Sequence, residues 1–109
     1  MCGICGVLRS EAKVSLAETA RMMSDTLHHR GPDDVGIWAD PEACVAISHR
    51  RLSIIDLSPT GAQPMMSPCG RYVIAFNGEI YNHLALREDL ETIGAAPSWK
   101  GTSDTETLL

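Results

Sequence analysis

Cys2 stands directly behind the initiator methionine and directly ahead of an apolar run, Gly3-Ile4-Cys5-Gly6-Val7-Leu8. The run reads as a β-strand, so the fold must hold the N-terminus on a rigid element. If Met1 is trimmed, as is common ahead of a small residue, Cys2 becomes the first residue and carries both a thiol and a free α-amine. The thiol is a strong nucleophile, and an unperturbed α-amine titrates at about pH 8, low enough to act as the base for its own side chain.

The chain has 109 residues, which suits one small domain. A domain of that size buries roughly 60–70% of the surface its unfolded chain exposes, so its core is modest. With 44% hydrophobic and 21% charged residues, the class is soluble and globular. The net charge of −5, with no basic cluster beyond His49-Arg50-Arg51, argues against a nucleic-acid partner. No apolar run approaches the roughly 20 residues that span a bilayer, so no membrane partner is expected. A charged segment followed by an apolar export signal is also absent, which points to the cytoplasm and to reduced cysteines.

Local signals place the remaining elements. Ser15-Leu16-Ala17-Glu18 fits a capping box, and Leu16, Ala20, Met23 and Leu27 share a helical stripe, predicting a helix over 16–28. His29-Arg30-Gly31-Pro32-Asp33-Asp34 breaks it. Val35 to Ala39 and Cys44 to Ile47 read as strands, and Leu52 to Asp56 as a further extended stretch. Turns at Ser58-Pro59-Thr60-Gly61 and Ser67-Pro68-Cys69-Gly70 bracket a loop. Tyr72 to Phe76, apolar on both faces, reads as a covered strand. Asn82 caps a second expected helix with the stripe Leu86, Leu90, Ile93, stopped by Gly94. Ser103-Asp104-Thr105-Glu106 is a second capping box, opening a helix near the last residue, Leu109.

Four segments besides Cys2 stand out in order. They are His29-Arg30-Gly31-Pro32-Asp33 with Gly36, His49-Arg50-Arg51-Leu52-Ser53-Ile54-Ile55-Asp56, Phe76-Asn77-Gly78-Glu79-Ile80-Tyr81-Asn82, and Gly101-Thr102-Ser103-Asp104-Thr105-Glu106. In this register they resemble the class II glutamine amidotransferase domain at the N-terminus of glutamine-hydrolysing asparagine synthases. The resemblance runs over residues 1–109. It implies an α+β fold, the αββα sandwich of N-terminal-nucleophile hydrolases. It also implies glutamine as substrate, hydrolysed to glutamate and ammonia for amidation of aspartate or a related carboxylate.

By that resemblance Cys2 is the nucleophile, and Asn77 (side chain) with Gly78 (backbone N–H) holds the oxyanion. Arg51 pairs with the glutamine α-carboxylate and Asp104 with its α-ammonium, while Leu52, Ser53, Ile54, Ile55 and Glu79 line the pocket. The residue types suit these roles. A planar guanidinium matches a carboxylate fork, glycine lets the backbone approach closely, and an anion-binder with a cation-binder reads a free amino acid rather than a peptide. The His28, His29, Arg30 and Asp33 loop supports the pocket in the family.

Each feature also has a plainer reading. Arg51 can be a surface arginine, Asp104 a first-turn acid complementing a helix dipole, and Asn77-Gly78 a hairpin turn. Cys2-Gly3-Ile4-Cys5 is formally a metal or redox motif, but Cys44 and Cys69 form no second close pair, so no metal site is expected. The enzymatic alternatives are other class II amidotransferases, such as those making phosphoribosylamine or glucosamine phosphate. The non-enzymatic alternative is a truncated, inactive remnant or partner subunit.

The family's domain continues with further strands past the Ser-Asp-x-Glu segment, so residues 1–109 read as a truncated N-terminal portion and the sandwich as incomplete. No Ser-Gly-Gly or Gly-x-x-x-x-Gly-Lys phosphate loop occurs here. No cofactor is therefore expected in this chain, and ATP and Mg2+ belong only to a synthetase domain. The implied partners are glutamine and an ammonia-acceptor site on a synthetase domain or subunit. A homodimer of the complete enzyme stays open.

Overall fold

The computed structural model describes residues 1–10, 15–53 and 58–109. It is a mixed α/β structure with antiparallel sheets. Strand β1 (Gly3–Leu8) is followed by helix α1 (Leu16–Asp25), a 3-10 turn (His28–Arg30), and strands β2 (Asp34–Asp40) and β3 (Val45–Arg51). A short ribbon of β4 (Met65–Met66) and β5 (Val73–Ile74) precedes helices α2 (His83–Thr92) and α3 (Asp104–Leu108).

The main sheet has the order β1-β3-β2, with both pairings antiparallel. Opposed residues share a face, so Cys5 and Val7, Ala46, Ser48 and Arg50, and Ile37 and Ala39 all point to one side. Helix α1 packs there, burying Leu16 and Ala20 against Ala46, with Val7, Ile37, Ala39 and Cys44 around them. As expected, Ser15 caps α1, its hydroxyl accepting from the Glu18 N–H at 3.3 Å. The buried stripe differs from the expected one: it runs Leu16, Ala20, Ser24, and Met23 is 38% exposed. Position 24 turns inward because buried Arg50 donates through Nε to the Ser24 carbonyl and hydroxyl, and through Nη2 to Asp25.

Strand β3 reaches Arg51 rather than stopping at Ile47, because both neighbours offer it partners at that end: Gly3 and Val35 face Arg50, and Asp34 faces Arg51. Conversely, the expected strand over Tyr72–Phe76 shrinks to Val73–Ile74, which pairs with Met65–Met66. The Phe76 N–H leaves the ladder and donates to the Gln63 side chain at 2.6 Å. The expected extended stretch is described only at Leu52 and Ser53; Ile54, Ile55 and Asp56 lie outside the described residues.

Asn82 occupies the N-cap position of α2, but its side chain makes no capping bond. The expected apolar stripe of α2 is not its buried face either. Ile93 is 74% exposed, and the buried residue of the helix is Arg87. No helix among the described residues is long and apolar enough to cross a membrane.

Candidate active site

One end of β3 opens onto a cavity of about 690 Å³. Cys2 enters it from the start of β1, Arg51, Leu52 and Ser53 from the end of β3, Asn77 to Glu79 from the segment after β5, and Asp104 from the start of α3. All the candidate site residues that lie among the described residues therefore line one space. Ile54 and Ile55 lie outside the described residues.

The thiol of Cys2 rests against the backbone of Leu52, its Sγ 3.4 Å from the Leu52 nitrogen as acceptor and 4.0 Å from the carbonyl as donor. Beside it, the Asn77 side-chain amide donates to the Cys2 carbonyl at 3.0 Å. An amide nitrogen carries two hydrogens, so this contact fixes the side chain and leaves a second donor at the cavity wall. Gly78 follows directly. A Cβ at Gly78 would lie 2.7 Å from the Phe76 ring, so a side chain there would have to push that ring aside.

Arg51 lines the cavity and donates through Nη1 to the Ser58 carbonyl at 2.9 Å. The loop ahead of β2 braces this segment. Asp33 accepts the Ser53 N–H at 2.7 Å and donates its own N–H to the Arg51 carbonyl at 3.1 Å. Gly31 lies so close beneath that an added Cβ would sit 2.5–2.7 Å from the backbone of Arg50 and Arg51. His29-Arg30-Gly31-Pro32-Asp33 thus supports the pocket from outside the cavity lining.

Across the cavity, both carboxylate oxygens of Asp104 are held by backbone donors: Oδ2 by the Ile80 N–H and Oδ1 by the Thr105 N–H, each at 2.8 Å. Each oxygen keeps a further lone pair for a ligand. A carboxylate and a guanidinium thus share one cavity with a thiol and a fixed side-chain amide. That arrangement suits a zwitterionic amino acid and acyl transfer from it.

A family model for the glutamine amidotransferase domain matches residues 1–109. The chain belongs to this family. The domain is similar over its whole length to asparagine synthetase [glutamine-hydrolyzing] 1 of Bacillus subtilis, with 44% identity, and to asparagine synthetase B [glutamine-hydrolyzing] of Escherichia coli, with 42%. A probable asparagine synthetase [glutamine-hydrolyzing] of Dictyostelium discoideum is 41% identical, again over the whole chain. The chain spans 17% of the length of the first of these relatives and 19% of each of the other two.

Several cavity residues of this amidotransferase domain carried no assigned role in the sequence. His49 is 2% exposed, and its Nε2 donates to the Phe76 carbonyl at 3.2 Å while Nδ1 has no partner among the described residues. Burial outweighs that carbonyl contact and pushes the imidazole pKa down, favouring the neutral ring. His49 and Arg51 are two apart on β3 and so share a face, a signal readable from strand period once the strand extends to Arg51. Gln63 bridges two walls, accepting from Phe76 and donating to Thr105 Oγ1 at 3.2 Å. No local pattern marks it, because both partners are distant in sequence.

Cys2 and Cys5 occupy different surroundings. Cys5 faces α1, where its Sγ donates to the Ala20 carbonyl at 3.7 Å and burial pushes its thiol pKa up.

Proposed function

We propose that this domain carries out the glutaminase half-reaction of an asparagine synthetase-type enzyme, on an αββα N-terminal-nucleophile framework. The observation that carries the reading is the single cavity shared by Cys2, Asn77, Gly78, Arg51 and Asp104. In this reading Met1 is removed and the Cys2 α-amine takes the thiol proton. The thiolate then attacks the side-chain amide carbon of glutamine. The second Asn77 N–H and the Gly78 N–H stabilise the oxyanion that forms; donors of this kind are worth about 3–4 kcal/mol each. The ammonium form of the terminus returns a proton to the departing nitrogen, giving ammonia and a thioester. Water, deprotonated by the same amine, cleaves the thioester to glutamate and restores Cys2.

Arg51 and Asp104 hold the α-carboxylate and α-ammonium, so binding energy at the far end of the substrate orients the amide toward Cys2. Ammonia then passes to a synthetase portion of a longer protein, where ATP and Mg2+ supply the activation of the acceptor carboxylate. The names of the relatives support aspartate as that acceptor. Ammonia release from glutamine, measured on the full-length protein, tests the reading. Cys2→Ala and an uncleavable extension ahead of Cys2 should each abolish it. A blocked terminus with full activity would remove the α-amine from the mechanism.

A further inference from the structure

Helix α2 presents an inverted face: Leu84 and Leu86 are 64% and 37% exposed, while its arginine is the buried residue. Arg87 spends its guanidinium on one short stretch of chain. Nη1 donates to the Gly101 carbonyl at 2.8 Å, Nη2 to the Ser103 carbonyl at 2.7 Å and to Glu106 Oε2 at 3.3 Å, and Nε to Thr107 Oγ1 at 2.8 Å. The Trp99 ring covers the guanidinium 4.2 Å away, and the indole N–H is itself tied to Glu91, one turn further along α2. Glu106 does not reach back to its own cap as a capping box would. It accepts instead from the Lys100 and Gly101 N–H groups, at 2.7 and 3.1 Å.

The stretch so fixed is the one that carries Asp104. Its neighbours Thr102, Ser103 and Thr105 line the cavity beside it. The five-residue helix α3 is too short to hold its own first turn without outside contacts. We propose that Arg87 is a positioning residue for recognition of the substrate's α-ammonium group: it locks residues 100–107 so that the Asp104 carboxylate stands in the cavity opposite Arg51. Arg87 does not itself line the cavity. The inference deepens the proposed function and rests on its assignment of Asp104.

The test uses the full-length protein, Arg87→Lys and Arg87→Met, and two amides: L-glutamine and 4-carbamoylbutanoate, which lacks only the α-amino group. Displacing Asp104 should raise KM for glutamine roughly tenfold or more in Arg87→Met, since a contact to a charged group is lost. Its kcat should move little. Arg87→Lys should recover only part of the loss, because a compact ammonium does not reproduce the spread fork that reaches Gly101, Ser103, Glu106 and Thr107. The rate with 4-carbamoylbutanoate should stay near that of the unaltered protein, so the preference between the two amides shrinks. Equal losses on both amides would overturn the proposal and reduce Arg87 to a stability role. An unchanged KM for glutamine would overturn it as well. Should Arg87→Met fail to fold, Glu106→Gln, which weakens the same clamp, must show the same selective rise in KM. Failure of the underlying reading looks different: the unaltered protein would release no ammonia, or would not prefer glutamine over the des-amino amide.

Discussion

The side-chain amide of Asn77 donates to the carbonyl oxygen of Cys2 across 75 positions of sequence, at 3.0 Å. That bond ties the candidate oxyanion donor to the backbone of the residue that carries the candidate nucleophile. Asn77→Ala removes the donor and the tie together. We expect kcat for ammonia release to fall on the order of 10²–10³-fold, the usual cost of one oxyanion-hole donor. KM for glutamine should change far less, since the ground-state carbonyl draws little on that donor. A variant that lost affinity at unchanged kcat would place Asn77 in substrate binding only.

Local signals in the sequence were reliable where the deciding interaction is itself local. β1 spans Gly3–Leu8 as its apolar run indicates, and the Ser15 hydroxyl caps α1 three residues away. The reading failed where burial depends on distant chain. The stripe of Leu86, Leu90 and Ile93 has helical spacing, yet α2 buries Arg87 because its acceptors arrive 14 to 20 positions downstream. Likewise the continuous apolar run at Tyr72–Phe76 cannot say how many neighbours will pair with it, and among the described residues only Val73–Ile74 joins a ladder. The candidate site residues were nominated through a resemblance to a known family, and those among the described residues line one cavity. Its supports, Gln63 above all, join segments that no short pattern connects.

Arg51 is held at the cavity by its bond to the Ser58 carbonyl and by Asp33 on its own backbone. Arg51→Ala should lower kcat/KM for glutamine by about 2–3 kcal/mol, roughly 30- to 150-fold, through loss of a charge-assisted contact. Lysine should restore part of this, as a point charge without the fork. Steady-state kinetics on the two variants decide the matter. Unchanged kcat/KM in Arg51→Ala would mean that this guanidinium does not touch substrate.

Gly31 gives a stability prediction independent of chemistry. An added methyl would press on the Arg50 carbonyl and the Arg51 nitrogen, which belong to the central strand and cannot turn away as a side chain could. Gly31→Ala should therefore cost about 2 kcal/mol or more, in the upper part of the range for overpacking. Denaturant unfolding of this variant measures it. Because the same backbone carries Arg51, ammonia release should fall as well. A neutral substitution would show that the loop over 28–33 can lift from β3 without penalty.

His49 sets the expected response to acid. It is buried with one ring nitrogen bonded to the Phe76 carbonyl and the other without a partner among the described residues, and burial lowers its pKa below the ordinary imidazole value. In the unfolded chain the ring binds its proton at about pH 6.5, whereas in the folded chain it stays neutral to lower pH. Between those two values the unfolded state carries the extra proton, so stability rises with pH across that window and falls as the solution is acidified through it. Below the folded-state pKa both states are protonated and the His49 contribution levels off. His49→Gln keeps an N–H for the Phe76 carbonyl and removes the titration. Melting temperatures taken from pH 8 down to about 5 should fall more steeply below pH 6.5 for the unaltered protein than for the variant. Parallel curves would show that acid acts through other groups, and that protonated His49 is tolerated where it lies.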